Sequence, residues 1–470
     1  MSLFEIAILA CIAALVGWLG NGRKLALLAV SALSLYWLQP HQEPVNLMFW
    51  LPTLTVFVTV LSWLITAKSE SRGWKENRAA VTVLMGVIAF VDLNRFFQFE
   101  WFFPIETPRI QWIGLAFLFV LIILFTLTRL GKFNRLILTL AVVGLVGLLL
   151  AIKSPSALTW LFEIIATLRG KYSGGQSTLA WLGFSYVAFR LLHTIFDRIA
   201  GRLPSVSLAE YVNYVIFFPA ITAGPIDRVE RFVAGLNSPL PLDAGGWLDA
   251  GQRIFIGLFK KFVVADALAW IALNETFARD ARSSIWLWTL LYAYSLRIYF
   301  DFSGYTDIAI GLGRLLGIRL PENFDSPYIK PNLTQFWNSW HITLTQWFRS
   351  YFFNPLARAM RSTPKPVSPW MMILFSQATT MLLIGLWHGV TTNYILWGLW
   401  HGCGLFIQNR WSEFARARLS LHAIPASGQR GLQCIGTFLT FNFVSLGWLF
   451  FALPSPESAW NAMLKLAGVL

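Results

Sequence analysis

The 470-residue sequence predicts an all-α, polytopic membrane protein, and three observations carry that prediction. Hydrophobic residues make up 56% of the chain and charged residues only 13%, against about 25% charged in ordinary soluble domains. Mean hydropathy is +0.59, more apolar than a water-soluble core of this length requires. The apolar residues fall in continuous runs of about 17–23, enough for a helix to cross about 30 Å of hydrocarbon. They do not alternate with polar residues as strands of a transmembrane barrel would. A cytosolic enzyme and a disordered chain are both excluded.

The runs, taken in order, lie near residues 3–19, 25–39, 45–67, 110–128 and 136–152. Shorter or charge-bearing candidates lie near 79–91, 158–168, 178–196, 207–223, 254–273, 284–300, 371–387, 390–408 and 432–453. About 11–13 membrane segments are expected, some of them re-entrant or interfacial. No cationic region precedes the first run, which reads as a retained helix and not a cleaved signal. Cys11, Cys403 and Cys434 are scattered, without CxxC spacing, so neither a disulfide framework nor a zinc site is expected.

The net charge of +14 would suggest nucleic acid on a soluble chain. Here the cations sit between apolar runs, where the positive-inside rule accounts for them, and no nucleic-acid partner is expected. Arg23 and Lys24 mark the first connection, Lys68, Arg72, Lys75 and Arg78 the third, and Arg129, Lys132 and Arg135 the fifth. The connections between them are poor in cations. This alternation places the odd connections in the cytoplasm and the N-terminus outside.

Residues 301–360 break the apolar pattern. Asp301, Asp307, Glu322, Asp325 and His341 crowd this stretch, and Pro321, Pro327 and Pro331 interrupt it. After Pro331, residues Phe336, Trp340, Leu344, Trp347, Phe348 and Tyr351 recur at three- and four-residue spacing, which predicts one amphipathic helix with a wide aromatic face. Irregular backbone at membrane depth survives only when it lines a cavity within protein. A second anomaly is His388, set deep in the apolar run 381–402. An intramembrane ionisable group suggests function, although a histidine satisfied by a carbonyl explains it about equally well. His401 repeats the WHG motif thirteen residues on, about 220° around a continuous helix. The two histidines then face apart and share no metal unless the chain breaks at Gly389 or Thr391–Thr392. The glycines of 311–317 read as close helix packing rather than a dinucleotide loop. No GxSxG nucleophile elbow occurs in a plausible frame.

Four segments, FFPAITAGPIDRVERF, YFDFSGYTDIAIGLG, NFDSPYIKPNLTQFWNSWHITLTQWFRSYFFNPL and LWHGVTTNYILWGLWHG, together resemble the membrane-bound O-acyltransferase (MBOAT) family in its bacterial branch. The resemblance spans about 178–453. It implies N-terminal transmembrane helices over 1–177, a catalytic core over 178–453 and a C-terminal tail over 454–470 of one membrane domain. The implied fold is a ring of helices around a central funnel. The implied catalytic histidine is His388, with His341 of the FW-x-x-WH motif as a second functional histidine. Where the family carries arginine before that motif's histidine, this chain has Asn338–Ser339, and Ser350 stands where the family has aspartate. GPIDR leans toward D-alanyl transfer, GLWHG and GWLFF toward acetyl transfer.

The resemblance further implies an acyl thioester donor on the cytoplasmic side, acetyl-CoA or the phosphopantetheine of an acyl carrier protein, used as substrate and not as bound cofactor. The acceptor would be a hydroxyl of a polysaccharide or envelope polymer outside, reached with an extracytoplasmic accessory transferase protein, from a multi-pass protein of the plasma (inner) membrane. A neutral imidazole, with an ordinary pKa of about 6.5, suits proton abstraction from that hydroxyl. His388 is the candidate base or acyl-relay nucleophile, and His341 the orienting or proton-relay partner. Trp387 and Asn338 are candidate oxyanion donors, and Trp340, Arg349 and Tyr351 further candidate substrate contacts. Asp301 and Arg349 are expected to serve in structural pairing, because buried charges need partners. Two readings of other classes stay open: a proton-relaying transporter, for which the expected paired broken helices are not evident, and a non-catalytic membrane scaffold.

Overall fold

The computed structural model describes residues 1–42, 46–97, 105, 107–130, 135–169, 179–363, 367–418 and 425–469. The cation-rich fifth connection at Lys132 and the acidic Glu100 and Glu106 lie outside them. The described chain is helical throughout, with a single isolated β-bridge between Phe324 and Trp340. It is an all-α membrane protein.

Five described helices are long and apolar enough to cross a membrane: Leu47–Thr66, Trp74–Phe97, Arg135–Lys153, Pro369–His388 and Ser427–Ala452. Leu3–Trp18 and Ile110–Val120 are shorter apolar helices. Other expected segments are interrupted. Run 207–223 becomes the eight-residue helix Leu208–Val215 followed by a 3₁₀ turn, and run 254–273 passes through a π-helical stretch at Phe259–Ala265.

Two compact units emerge. The first comprises Met1–Leu149, Thr178–Phe255 and Thr306–Pro321. Its interior holds buried polar anchors where helices give way to irregular backbone. Arg190 is buried and donates to the carbonyls of Val215 (2.8 Å), which ends the helix Leu208–Val215, and of Ala220 (3.0 Å), which ends the 3₁₀ turn after it, satisfying acceptors left at both ends. Arg23, also buried, donates to the carbonyls of Leu316 and Leu236. Asp227 of GPIDR accepts from the Arg228 backbone at 2.7 Å and from Arg231 Nε at 2.6 Å. Gly311 shows the close packing expected of its motif: a Cβ there would sit 2.9 Å from the Ala250 carbonyl oxygen.

The second unit comprises Leu150–Ser177, Ile256–Tyr305 and Glu322–Leu470. One of its cores joins Leu287, Leu290 and Leu291 to Leu449, Leu453, Ala459 and Ala462. Residues 454–470, expected as a tail, therefore supply a packed helix, Pro456–Leu466, started by a capping box between Ser455 and Ser458. A sequence without a long apolar run still forms a helix here, because its two alanines fit a small-residue face. Two asparagines act as helix caps: Asn274 Oδ1 accepts from the Phe277 N–H and Asn332 Oδ1 from that of Gln335.

Candidate active site

The single amphipathic helix expected after Pro331 is instead two. Leu333–Trp337 ends at Asn338, and Ile342–Phe348 begins after His341. Between them the backbone pairs with the segment before it: Asp325 N–H donates to the Ser339 carbonyl (3.0 Å) and Ile342 N–H to the Asn323 carbonyl (2.9 Å). These bonds replace the helical ones that the 3–4 periodicity predicts. The aromatic spacing runs on through the break in the sequence, which is why periodicity alone missed it, but Phe336 and Trp340 pack with Tyr328 and Trp448 while Trp347 packs with Phe348 and Tyr351. His341 takes φ +45°, a left-handed conformation that costs energy for a residue with a β-carbon.

Asn323 fixes the chemistry of this imidazole. Its Oδ1 accepts from the Thr343 backbone N–H at 3.2 Å and from Thr343 Oγ1 at 2.9 Å. A backbone N–H can only donate, so the atom it faces is the amide oxygen and not the nitrogen. His341 Nδ1 lies 3.2 Å from the same oxygen and must donate to it. The proton of neutral His341 therefore sits on Nδ1, and Nε2 keeps the basic lone pair. Phe302 sets the ring from its other side, edge to face at 4.8 Å.

His388 ends the helix Pro369–His388, and the next helix, Thr392–Arg418, starts after a short turn. The turn is pinned where Val390 N–H donates to the Lys153 carbonyl at 3.1 Å. Gly389 is required there, since a Cβ would meet the Tyr394 ring at 2.6 Å. The half-buried His388 imidazole lies among Trp387 (4.5 Å between ring centroids), Phe451 (4.9 Å), Trp397 (5.5 Å) and Tyr394 (6.0 Å). Trp387 also reaches the His341 ring at 6.0 Å, so both histidines pack on one indole.

The break at Gly389 removes the basis for placing His401 on an opposite face. His401 sits on the second helix and touches Trp397 at 4.9 Å, so His388 and His401 share Trp397 as His388 and His341 share Trp387. His401 is fully buried, and neither ring nitrogen has a hydrogen-bond partner. Trp337, Phe443 and Trp448 close around it. It belongs to the packing of the aromatic cage.

The remaining sequence candidates separate. Trp340 is buried among Phe324, Phe336, Tyr328 and Trp448 and shapes the core. Asn338 Oδ1 accepts from Arg349 Nη2 at 2.6 Å, and Asp301 pairs with Lys261 at 2.5 Å. Arg349 lies in a π-helical stretch, Arg349–Phe353, and lines a cavity of about 170 Å³ with Trp337, Thr345, Phe348, Gln377 and Met381. Tyr351 packs on Trp347 at 5.3 Å. Sequence reasoning did not single out Asn323, although it opens one of the family-like segments, because an uncharged amide gives no signal of charge or periodicity. The antiparallel return of the chain on Ser339 was its signal, and that is visible only in three dimensions. Among the described residues, the grouping of possible metal ligands lies elsewhere, at His193, Asp197 and Glu230.

Comparison with known proteins identifies the family and several relatives. The model of the MBOAT, membrane-bound O-acyltransferase family matches residues 156–446, a stretch holding all three histidines of the cage. A teichoic acid D-alanyltransferase of Streptococcus thermophilus is 30% identical over 300 residues, 62% of this chain and 72% of the relative. A protein of Pseudomonas aeruginosa named as an alginate O-acetylase is 35% identical over 281 residues, covering 60% of this chain and 50% of its own. A peptidoglycan O-acetyltransferase of Helicobacter pylori is 34% identical over 267 residues, 55% of this chain and 47% of the relative. The chain thus spans about half the length of these two acetylating relatives. With the family model covering most of the helical chain and both WHG and WH histidines inside the match, the chain belongs to the membrane-bound O-acyltransferase family.

Proposed function

We propose that this chain transfers an acyl group, acetyl in the first instance, from a thioester donor to a hydroxyl of a cell-envelope polymer. The observation that carries the reading is the packing of His388 and His341 on one indole, Trp387, inside an aromatic cage. In the step envisaged, the acceptor oxygen attacks the thioester carbonyl while His388 takes the hydroxyl proton. The tetrahedral intermediate then expels the thiolate, which takes that proton to leave as thiol, and the ester C–O bond replaces the C–S bond. His341, with its proton on Nδ1, presents Nε2 toward relay or orientation of the reacting groups. Trp387, packed on both rings, orients them.

The donor is acetyl-CoA or a carrier protein's phosphopantetheine, presented from the cytoplasm; the acceptor is a polysaccharide or related polymer outside, with an extracytoplasmic accessory transferase as partner. The protein acts in the plasma membrane with its N-terminus outside. Acetyl is favoured because two of the three relatives described are named for O-acetylation, and D-alanyl is the alternative that the third supports.

The test is transfer from radiolabelled donor in proteoliposomes, with acetyl-CoA and D-alanyl carrier protein compared side by side. His388→Ala should lower the rate by about 10²–10⁴, the usual contribution of a positioned base, with the protein inserted and folded. His388→Gln should be nearly as slow, since an amide cannot take a proton. Full activity in His388→Ala would overturn the reading in favour of a scaffold.

A further inference from the structure

In the first unit, His193, Asp197 and Glu230 bring three ligand atoms to one point, all within 4.8 Å of one another. His193 and Asp197 stand one helical turn apart on Phe184–Ile199 and so share a face. Glu230 comes from the first turn of a different helix, Val229–Asn237, directly after the GPIDR stretch. His193 Nε2 is 3.3 Å from Asp197 Oδ2 and 3.9 Å from Glu230 Oε2. We infer that this grouping is a binding site for a first-row divalent metal ion, which ties the two helices together.

Geometry and chemistry both support it. Ligands at about 2.0–2.1 Å from a tetrahedral ion lie roughly 3.3 Å apart, which is the His193–Asp197 separation; a small rotation of the glutamate brings the third donor in. Arg202 pairs with Asp197 and Arg228 stands near His193, so the ion would add to a charge balance that these arginines begin. One imidazole with two carboxylates is a mixed nitrogen and oxygen donor set that first-row divalent ions from manganese to zinc accept, and zinc serves as the probe. Asp197 is also held as a ligand should be: its other oxygen accepts from Arg202 Nη2 at 2.7 Å, which orients the carboxylate from outside. His193 and Asp197 are buried, whereas Glu230 is 43% exposed, so the site opens to solvent on the glutamate side, where a water completes the set. The ion would act as a fastener, apart from acyl transfer.

The experiment uses full-length protein in lipid nanodiscs, its affinity tag removed, stripped with EDTA and reloaded with zinc chloride. Metal content is read by mass spectrometry after desalting, and thermal unfolding is followed with and without zinc. The expected result is about one zinc per chain and a higher unfolding temperature on reloading. His193→Ala and Asp197→Asn should abolish both, but these positions are buried and folding can fail. Glu230→Gln, at the open rim, therefore carries the test: it should fold as the parent does and bind zinc at least roughly tenfold more weakly, in line with the loss on disturbing a metal site. Absence of retained zinc in the parent, or equal zinc affinity and equal thermal shift in Glu230→Gln, would overturn the inference.

Discussion

Asn323 Oδ1 and His341 Nδ1 stand 3.2 Å apart, and the Thr343 backbone N–H on the same oxygen decides which of the two donates. One uncharged amide thus sets the tautomer of a histidine that follows it by eighteen residues.

Removing that amide should cost both structure and rate. Asn323→Ala removes the oxygen that the Thr343 N–H, Thr343 Oγ1 and His341 Nδ1 share, a loss of about 1–3 kcal/mol for buried hydrogen-bonding groups. Turnover should fall roughly tenfold or more, since losing the partner that fixes a histidine tautomer costs up to about 10⁴ in the serine-protease triad. Asn323→Asp, which keeps an acceptor oxygen, should recover rate relative to the alanine variant while lowering the unfolding temperature, because it buries a carboxylate. Steady-state turnover alongside thermal unfolding checks this. Equal rates in parent and alanine variant would remove Asn323 from the site.

His401 gives the opposite expectation. Its ring nitrogens have no hydrogen-bond partner, so His401→Phe relieves an unsatisfied polar group and keeps an aromatic filler. The variant should match or exceed the parent in thermal stability and keep turnover within about twofold, as a substitution outside the proton-transfer machinery. A loss comparable to that of His388→Ala would give His401 a chemical role.

Gly398 sets how close the two WHG helices come. A Cβ there would lie 2.6 Å from the Met381 carbonyl oxygen and 2.9 Å from the Leu382 Cα, both backbone atoms that cannot move aside alone. Gly398→Ala should destabilise by roughly 1–3 kcal/mol, the usual cost of overpacking, and slow turnover by shifting His388. Differential scanning fluorimetry of the purified variant measures the first effect, and unchanged melting would show that the helices separate freely.

Topology is tested by thiol labelling in a background free of the three native cysteines. Ser69, exposed in the turn Ser69–Arg72, should react as Ser69→Cys only after the inner face is opened. Ser2→Cys should react from outside intact cells. Labelling of position 69 from outside would reverse the orientation.

Much of this protein was legible in its sequence for a physical reason: membrane helices advertise themselves through apolar length, and intramembrane histidines are rare enough to stand out. His388 and His341 were found that way and by their motifs. Periodicity failed between Trp337 and Ile342, where cross-chain hydrogen bonds override helix propensity without disturbing the aromatic pattern. Rotation failed for His401 because the helix it assumed stops at His388. Asn323 and the cage rings Trp397, Trp448 and Phe451 lie in the quoted segments, but nothing local showed their roles, which arise from segments brought together only by folding.

The backbone pairing of 323–325 with 339–342 also has a consequence for biogenesis. The backbone of His341 and its Asn323 bond are set by contacts that span fewer than two dozen residues, and closing a loop of that size costs little chain entropy and takes well under a millisecond. His388 arrives on a helix synthesised later. During co-translational insertion the His341 loop can close as soon as its own residues emerge, and the later helix then docks against a surface already formed. The site is assembled in sequence, with its irregular half made first and its regular half fitted to it.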